Sequence, residues 1–391
     1  MMTQVREVVV VGAGLLGLAA AYALAARGRD VVVLEQADDI GHARSGSKGS
    51  CRIFRLGYPD ADYVAAARLA RGLWRDLEAA SGRRILWPCP QLTIGAGLPA
   101  VRAAMLAAGA PCELVTAAEA ASRYPAVRTG GPALVEPESA VTAADQALAA
   151  LAAAVPEVRT GVTALRLADD GRQVTVSTST GPVIARTAVI TAGPWSGRLL
   201  ASAGLAVPGR TTLEQVAYLR PAEDTGAAHA DGAQRAGAMP IFLSHSPQSP
   251  YGLPVPGSPL YKIGIHPSGP AIDPDGQEQV PDDGLTARLA EVARRYLPGY
   301  QPDAAAVERC CYDNSPDEDF ILDRSGNVIV GCGTSGHGFK FGPLLGSWLA
   351  DLATGTAAAT SAEAALRQRL WARFALSRFS RAAAASTSPR P

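Results

Sequence analysis

Residues 6–11 (Arg-Glu-Val-Val-Val-Val) end in four consecutive apolar positions, too short a run for a helix and suited to a strand buried on both faces. Gly12-Ala13-Gly14-Leu15-Leu16-Gly17 follows at once, and the Ala- and Leu-rich stretch over 18–27 predicts a helix closed by Gly28. Residues 31–34 are a second apolar run, ending at Glu35. Farther on, Tyr63, Ala67, Leu69, Leu73 and Leu77 predict a helix over 62–81, and an Ala-rich stretch predicts another over 141–154. Between them, Leu92-Thr93-Ile94 and turns rich in Pro and Gly predict short strands. Residues 174–179 and 187–192 read as a strand pair, the second running into Ala192-Gly193-Pro194-Trp195. Residues 213–219, 240–243 and 260–265 predict strands of a separate antiparallel sheet. A buried strand over 327–331 and a helix over 341–354 come next, and 382–391 is a low-complexity tail.

Strand, glycine turn, helix and a strand ending in an acid form a βαβ unit with a dinucleotide fingerprint. Gly12, Gly14 and Gly17 permit a tight turn and close approach of the backbone to a pyrophosphate, and all three are expected at the cofactor. The helix N-terminus offers N–H donors and the positive end of its dipole. Glu35 is placed to accept hydrogen bonds from an adenosine ribose. The sheet resumes near 190 and again near 330, so this domain is expected to be discontinuous. The expected fold is α/β. A Rossmann-type domain takes 1–85, 141–212 and 320–378. An antiparallel-sheet substrate domain takes 86–140 and 213–319, and a flexible tail takes 379–391.

Composition narrows the partners. With 36 basic and 36 acidic residues the chain is neutral, which gives no electrostatic case for nucleic acid or an anionic membrane. No apolar run reaches the ~18 residues that span a bilayer, and no export signal is visible, so a cytoplasmic protein is expected. The six cysteines show no metal-ligand spacing, and no metal is expected. Of the 36 basic residues only Lys48, Lys262 and Lys340 are lysine; the other 33 are arginine. Arginine replaces lysine wherever a long cation suffices, but not where chemistry needs a compact, tunable ammonium.

Four stretches carry a resemblance that covers nearly the whole chain, roughly residues 5 to 355. They are the dinucleotide turn, Gly49-Ser50-Cys51-Arg52-Ile53-Phe54-Arg55, and Tyr251-Gly252-Leu253-Pro254 with Lys262-Ile263-Gly264-Ile265-His266. The fourth runs from Cys310-Cys311-Tyr312 through Pro316-Asp317-Glu318 to Ser335-Gly336-His337-Gly338-Phe339-Lys340-Phe341. Together they resemble the monomeric sarcosine oxidase family, within the D-amino-acid-oxidase superfamily of flavoenzymes. The resemblance implies FAD, bound covalently through a cysteine. The Cys-x-Tyr spacing selects Cys310; adjacent strand residues point to opposite faces, so Cys310 and Cys311 cannot both reach the flavin. It also implies that Arg55 and Lys340 hold a substrate carboxylate and that Lys262 assists oxygen reduction. Arg52, Gly336, His337 and Gly338 are expected near the flavin, with Tyr251 and His266 shaping the substrate site. Lys48 falls where the family often has histidine.

From its residues alone, Lys262 is either a buried functional cation or a charge on an edge strand. Arg55 taken alone is a surface arginine, and a lone histidine such as His266 is more often a satisfied core or surface residue than a catalyst. The implied activity is FAD-dependent oxidation of a small secondary amino acid, N-methyl or cyclic, to an imine, with oxygen reduced to hydrogen peroxide. The alternatives are a dehydrogenase passing electrons to another acceptor, a biosynthetic oxidase of a cyclic imino acid, and a flavoprotein without turnover. A monomer is expected.

Overall fold

A computed structural model of the chain describes residues 5–42, 44–222, 239–276, 280–356 and 361–379. The expected tail beyond 379, and residues 223–238 and 277–279 of the expected substrate domain, lie outside the described residues.

The first sheet grows from the βαβ unit. Arg6–Val11 pairs in parallel with Val31–Leu34 on one side and with Val183–Ile190 on the other. The last four residues of Arg6–Val11 and all of Val31–Leu34 are buried, as a doubly covered parallel sheet requires. Val183–Ile190 also pairs antiparallel with Val174–Thr178 through its first residues and parallel with Val328–Cys332 through its last. Ala164–Asp169, Val158–Arg159 and Ile321–Ser325 complete eight strands.

Helices Leu15–Ala26 and Gly342–Thr354 pack on this sheet at close range. A Cβ on Gly346 would lie 2.5 Å from the backbone of Ala19, and one on Gly342 would lie 2.8 Å from the Leu15 side chain. Helix Ala61–Ser81 is capped by Asp60, whose carboxylate accepts from Asp62 N and Tyr63 N, and ends at Gly82 in the left-handed conformation.

The second sheet also has eight strands, in the order Tyr300–Asn314, Arg210–Pro221, Tyr261–Ile265, Pro250–Pro254, Ile241–His245, Gln91–Gly95, Ala133–Glu136, Glu113–Val115. Its neighbours are antiparallel, as expected, except that Ile241–His245 and Gln91–Gly95 run parallel. Helix Asp283–Tyr296, capped by Asp282, covers it with Leu285, Leu289, Val292, Ala293 and Tyr296. A small third sheet joins Cys51–Phe54, Ala140–Ala143 and Leu86–Pro88.

Some expected elements differ. The helix expected over 141–154 begins later, as Ala144–Ala153; Ala140–Ala143 is a strand whose Val141 and Thr142 are β-branched. Between the two predicted helices lie Leu98–Ala107 and Ala117–Arg123, helices where only strands were expected. Among the described residues no helix is long and apolar enough to cross a membrane, and no cluster of His, Cys, Asp and Glu could hold a metal ion.

Candidate active site

A cavity of about 760 Å³ runs from the carboxyl ends of the first sheet's parallel strands to the face of the second sheet. That volume lies within the range of small-molecule and cofactor sites.

At the first end, Gly12 and Gly14 line the cavity. Gly12 has φ +100°, and a Cβ there would lie 2.6 Å from Thr191 O. Gly14 gives the first turn of Leu15–Ala26 no side-chain cap of its own; Leu15 N donates to Ser47 Oγ at 3.0 Å, and the helix N-terminus still presents its positive end to the cavity. Gly17 is not part of the wall. A Cβ on it would collide with Gly12 O, so it sets the approach of helix to strand. Glu35 is buried, its Oε2 accepting from Ala13 N at 2.8 Å and its Oε1 from Ala37 N at 3.0 Å. A carboxylate has about four lone-pair sites, so it can still accept from a ligand hydroxyl. His42 Nε2 lies 3.6 Å from Glu35 Oε1, but burial holds the imidazole toward its neutral form.

At the other end, Arg55, Tyr251, His266, His337 and Lys340 line one pocket. The Arg55 guanidinium lies 3.9 Å from the centre of the Tyr58 ring and donates to Gly57 O. Lys340 Nζ donates to Tyr58 Oη at 3.0 Å and to His337 O at 2.7 Å. Neither cation has a carboxylate partner among the described residues. Burial, then the charge of Arg55, holds the Lys340 ammonium well below the usual lysine range. The carboxylate of Glu136 fixes this corner from behind, accepting from Gly57 N, Gln91 Nε2 and Thr93 Oγ1.

Tyr251 and Tyr312 are hydrogen-bonded through their hydroxyls, and burial raises both above the usual tyrosine range. Glycines make room for them. A Cβ on Gly264 would lie 2.4 Å from the Tyr251 ring, and one on Gly336, at φ +70°, 2.1 Å from Tyr312. Gly338, against Thr334, completes that turn in the wall. His337 sits between Tyr58 Oη, 3.2 Å from its Nδ1, and Glu318 O, 2.9 Å from its Nε2. Burial pushes His266 below and His337 well below the usual histidine range, so both stay neutral near pH 7.

Lys262 is 5 % exposed, and its strand is paired on both edges, with Tyr218 opposite on one side and Leu253 on the other. It is therefore not an edge-strand charge. Nζ donates to Cys51 O at 3.2 Å and lies 5.6 Å from the Tyr218 ring centre; burial, then Arg52, lowers it from the usual lysine range. Arg52 donates to Cys51 O, Gly46 O and Lys48 O and lies over the Phe339 ring. Cys310 and Cys311 both line the cavity, but Cys311 is 1 % exposed and faces Leu213 across the sheet, whereas Cys310 is half-buried and opposite Glu214. Burial pushes the Cys310 thiol up; the charges of Arg52 and Lys262 oppose that.

Two expected residues are not brought to the cavity, Gly17 and Lys48. Lys48 lines a separate hollow with Asp38, Asp39 and Asp145. Tyr58, His245 and Asp313 also line the wall and were not expected there, and Tyr312 was noted only for its spacing from Cys310. Burial lifts the Asp313 carboxyl to about 7, while Gly333 N donates to its Oδ2.

Comparison with known proteins agrees with this arrangement. Residues 7–352 match the family model DAO, FAD dependent oxidoreductase. The chain is 32 % identical to the peroxisomal sarcosine oxidase of Mus musculus over 367 residues, covering 90 % of this chain and 92 % of that one. It is 30 % identical to the monomeric sarcosine oxidase of Bacillus sp. (strain NS-129) over 370 residues, covering 89 % and 92 %. The solved structure of NikD, an unusual amino acid oxidase essential for nikkomycin biosynthesis, superposes with a TM-score of 0.78 at 26 % identity, covering 93 % and 97 %. The chain belongs to the DAO family of FAD-dependent oxidoreductases.

Proposed function

We propose that the chain oxidises a small secondary amino acid, N-methyl or cyclic, to an imine and reduces oxygen to hydrogen peroxide. The observation that carries this is a pair of cations without carboxylate partners, Arg55 and Lys340, at one end of a cavity whose other end is a dinucleotide cradle. The names of the relatives support the same substrate class.

FAD fits the residues present. Gly12 and Gly14 leave space where a side chain would collide or cap, and Glu35 offers an acceptor beside them. The first sheet with its helices, from 1–85, 141–212 and 320–378, is the cofactor part; 86–140 and 213–319 form the substrate part. Cys310 would hold the flavin covalently, through a thioether to its 8α-methyl carbon. The place of Cys310 in the cavity wall, less enclosed than that of Cys311, and the two nearby cations favour it.

Bound FAD supplies the acceptor for a hydride equivalent from the carbon next to nitrogen. Arg55 and Lys340 take the two oxygens of the substrate carboxylate and so fix the depth and orientation of that carbon. Tyr251 and Tyr312 form an aromatic wall beside it. The cations Arg55 and Lys340 disfavour a further positive charge in the pocket, so the amine binds neutral and needs no dedicated base; His266 and His337 are themselves neutral. Lys262, buried and without a carboxylate partner among the described residues, stabilises negative charge developing on oxygen. A peroxide-coupled screen of sarcosine, other N-methyl amino acids, proline and pipecolate on the purified protein tests this. Peroxide formed with one of them is expected. Flavin reduction without peroxide would assign a dehydrogenase, and no reduction by any of them would remove the proposed substrate class.

A further inference from the structure

Tyr58 touches both cations that line the substrate end of the cavity. Its ring faces the Arg55 guanidinium at 3.9 Å, and its hydroxyl oxygen accepts from Lys340 Nζ at 3.0 Å. Two like charges brought this close repel one another, and the groups around them must hold them in place. Glu136 fixes the backbone of the loop by accepting from Gly57 N, and Gly57 O in turn accepts from Arg55. The Tyr58 ring is itself clamped, stacked on Tyr63 with ring centres 5.1 Å apart.

The direction of each hydrogen bond that leads away from Lys340 is forced. An ammonium only donates, so Tyr58 Oη accepts from Lys340, and its single O–H is left for His337 Nδ1, 3.2 Å away. Nδ1 is then the bare nitrogen of the imidazole. Nε2–H donates to Glu318 O, a carbonyl that can only accept, at 2.9 Å. Burial lifts the Tyr58 hydroxyl to about 12 and holds His337 well below the usual histidine range, so neither changes its proton near pH 7. An ammonium has three N–H groups. Lys340 gives two of them, to Tyr58 Oη and to His337 O at 2.7 Å, and the third remains for the cavity that it lines.

We propose that Tyr58, its hydroxyl locked by His337, is the positioning residue of the carboxylate site. It holds Arg55 on its ring face and Lys340 on its oxygen, so that the two cations meet the two oxygens of one carboxylate. The proposal rests on the carboxylate-binding role given above to Arg55 and Lys340. Acetate, which cannot be oxidised by the flavin, tests it on the holoenzyme, titrated by the change in flavin absorbance. Tyr58→Phe keeps the ring and removes the acceptor, and it is expected to weaken acetate binding about tenfold, the effect of one hydrogen bond to a charged group. In a Lys340→Met background the same Tyr58→Phe change is expected to have no further effect, because the group that the hydroxyl orients is gone. His337→Asn, whose side-chain oxygen can stand in for Nδ1, should keep most of the affinity, and His337→Leu should lose as much as Tyr58→Phe. Equal acetate affinity in wild type and Tyr58→Phe, or the same loss from Tyr58→Phe with and without Lys340, overturns the proposal. Acetate affinity unchanged in Lys340→Met removes the carboxylate role of Lys340 and the positioning role with it. The expected coupling, found in an enzyme that oxidises no secondary amino acid, upholds the positioning role and instead removes the oxidase function.

Discussion

Lys262 is one of three lysines in a chain with 33 arginines, and it lies inside a strand that is paired on both edges. An ammonium in that position, in the cavity wall, would present compact charge to the cavity. Lys262→Met should leave anaerobic reduction of the flavin by substrate little changed and slow reoxidation by oxygen by ~10²-fold or more, as when one preorganised charge stabiliser is lost. Lys262→Arg should also be slow, because a guanidinium is larger and planar. Stopped-flow traces of the two half-reactions check both variants; unchanged reoxidation in Lys262→Met would make Lys262 only a strand residue.

Lys340 gives a pH dependence with a definite sign. Its ammonium titrates well below the usual 10.5, and a carboxylate beside it favours the charged form. Binding therefore draws a proton onto Lys340 wherever the pH exceeds its lowered pKa. Carboxylate inhibitors should bind more weakly as pH rises through that pKa toward 10.5. Lys340→Met should lose this slope and about 2–4 kcal/mol of binding. Inhibitor titrations across pH decide it; a slope that persists in the variant assigns the titration to another group. Cys310 is checked by acid precipitation. Flavin should stay with the pellet in wild type and be released from Cys310→Ala.

At this scale the lysines stood out in the sequence by their rarity, and Arg55 by the motif it belongs to. Tyr58 and His245 carry no such mark. They reach the site through the packing of sheets distant in sequence, which no local spacing encodes.

The elements that were legible are those whose hydrophobic pattern is settled locally. The last four residues of Arg6–Val11 and all of Val31–Leu34 are continuous apolar runs because both faces of that sheet are covered. Tyr300–Asn314 was not legible beyond its cysteines. It pairs on one edge only, with Arg210–Pro221, and it buries no continuous run of residues. The boundary at Ala143 was hidden because the Ala-rich composition continues from strand into helix.

The contact between Leu15–Ala26 and Gly342–Thr354 depends on residues that have no side chain. Gly346→Ala forces a methyl group against the backbone of Ala19 and should cost about 1–3 kcal/mol. Chemical denaturation of wild type and variant measures it; equal midpoints would show that the two helices have room to separate.

For the molecule as a whole, the decisive feature is that one cavity joins the dinucleotide cradle of the first sheet to the cations held against the second. C-terminal helix Ser361–Phe374, absent from the elements expected of the sequence, lies beyond the residues matched by the family model. It is nonetheless tied to the rim, where Arg373 pairs with both Asp60 and Asp319. The most direct test of the account mixes the purified holoenzyme anaerobically with the best substrate from the peroxide screen, then with oxygen. The account predicts bleaching of the flavin absorbance, full recovery on adding oxygen, and one hydrogen peroxide per substrate consumed. Bleaching by no secondary amino acid, or bleaching that oxygen fails to reverse, would contradict it.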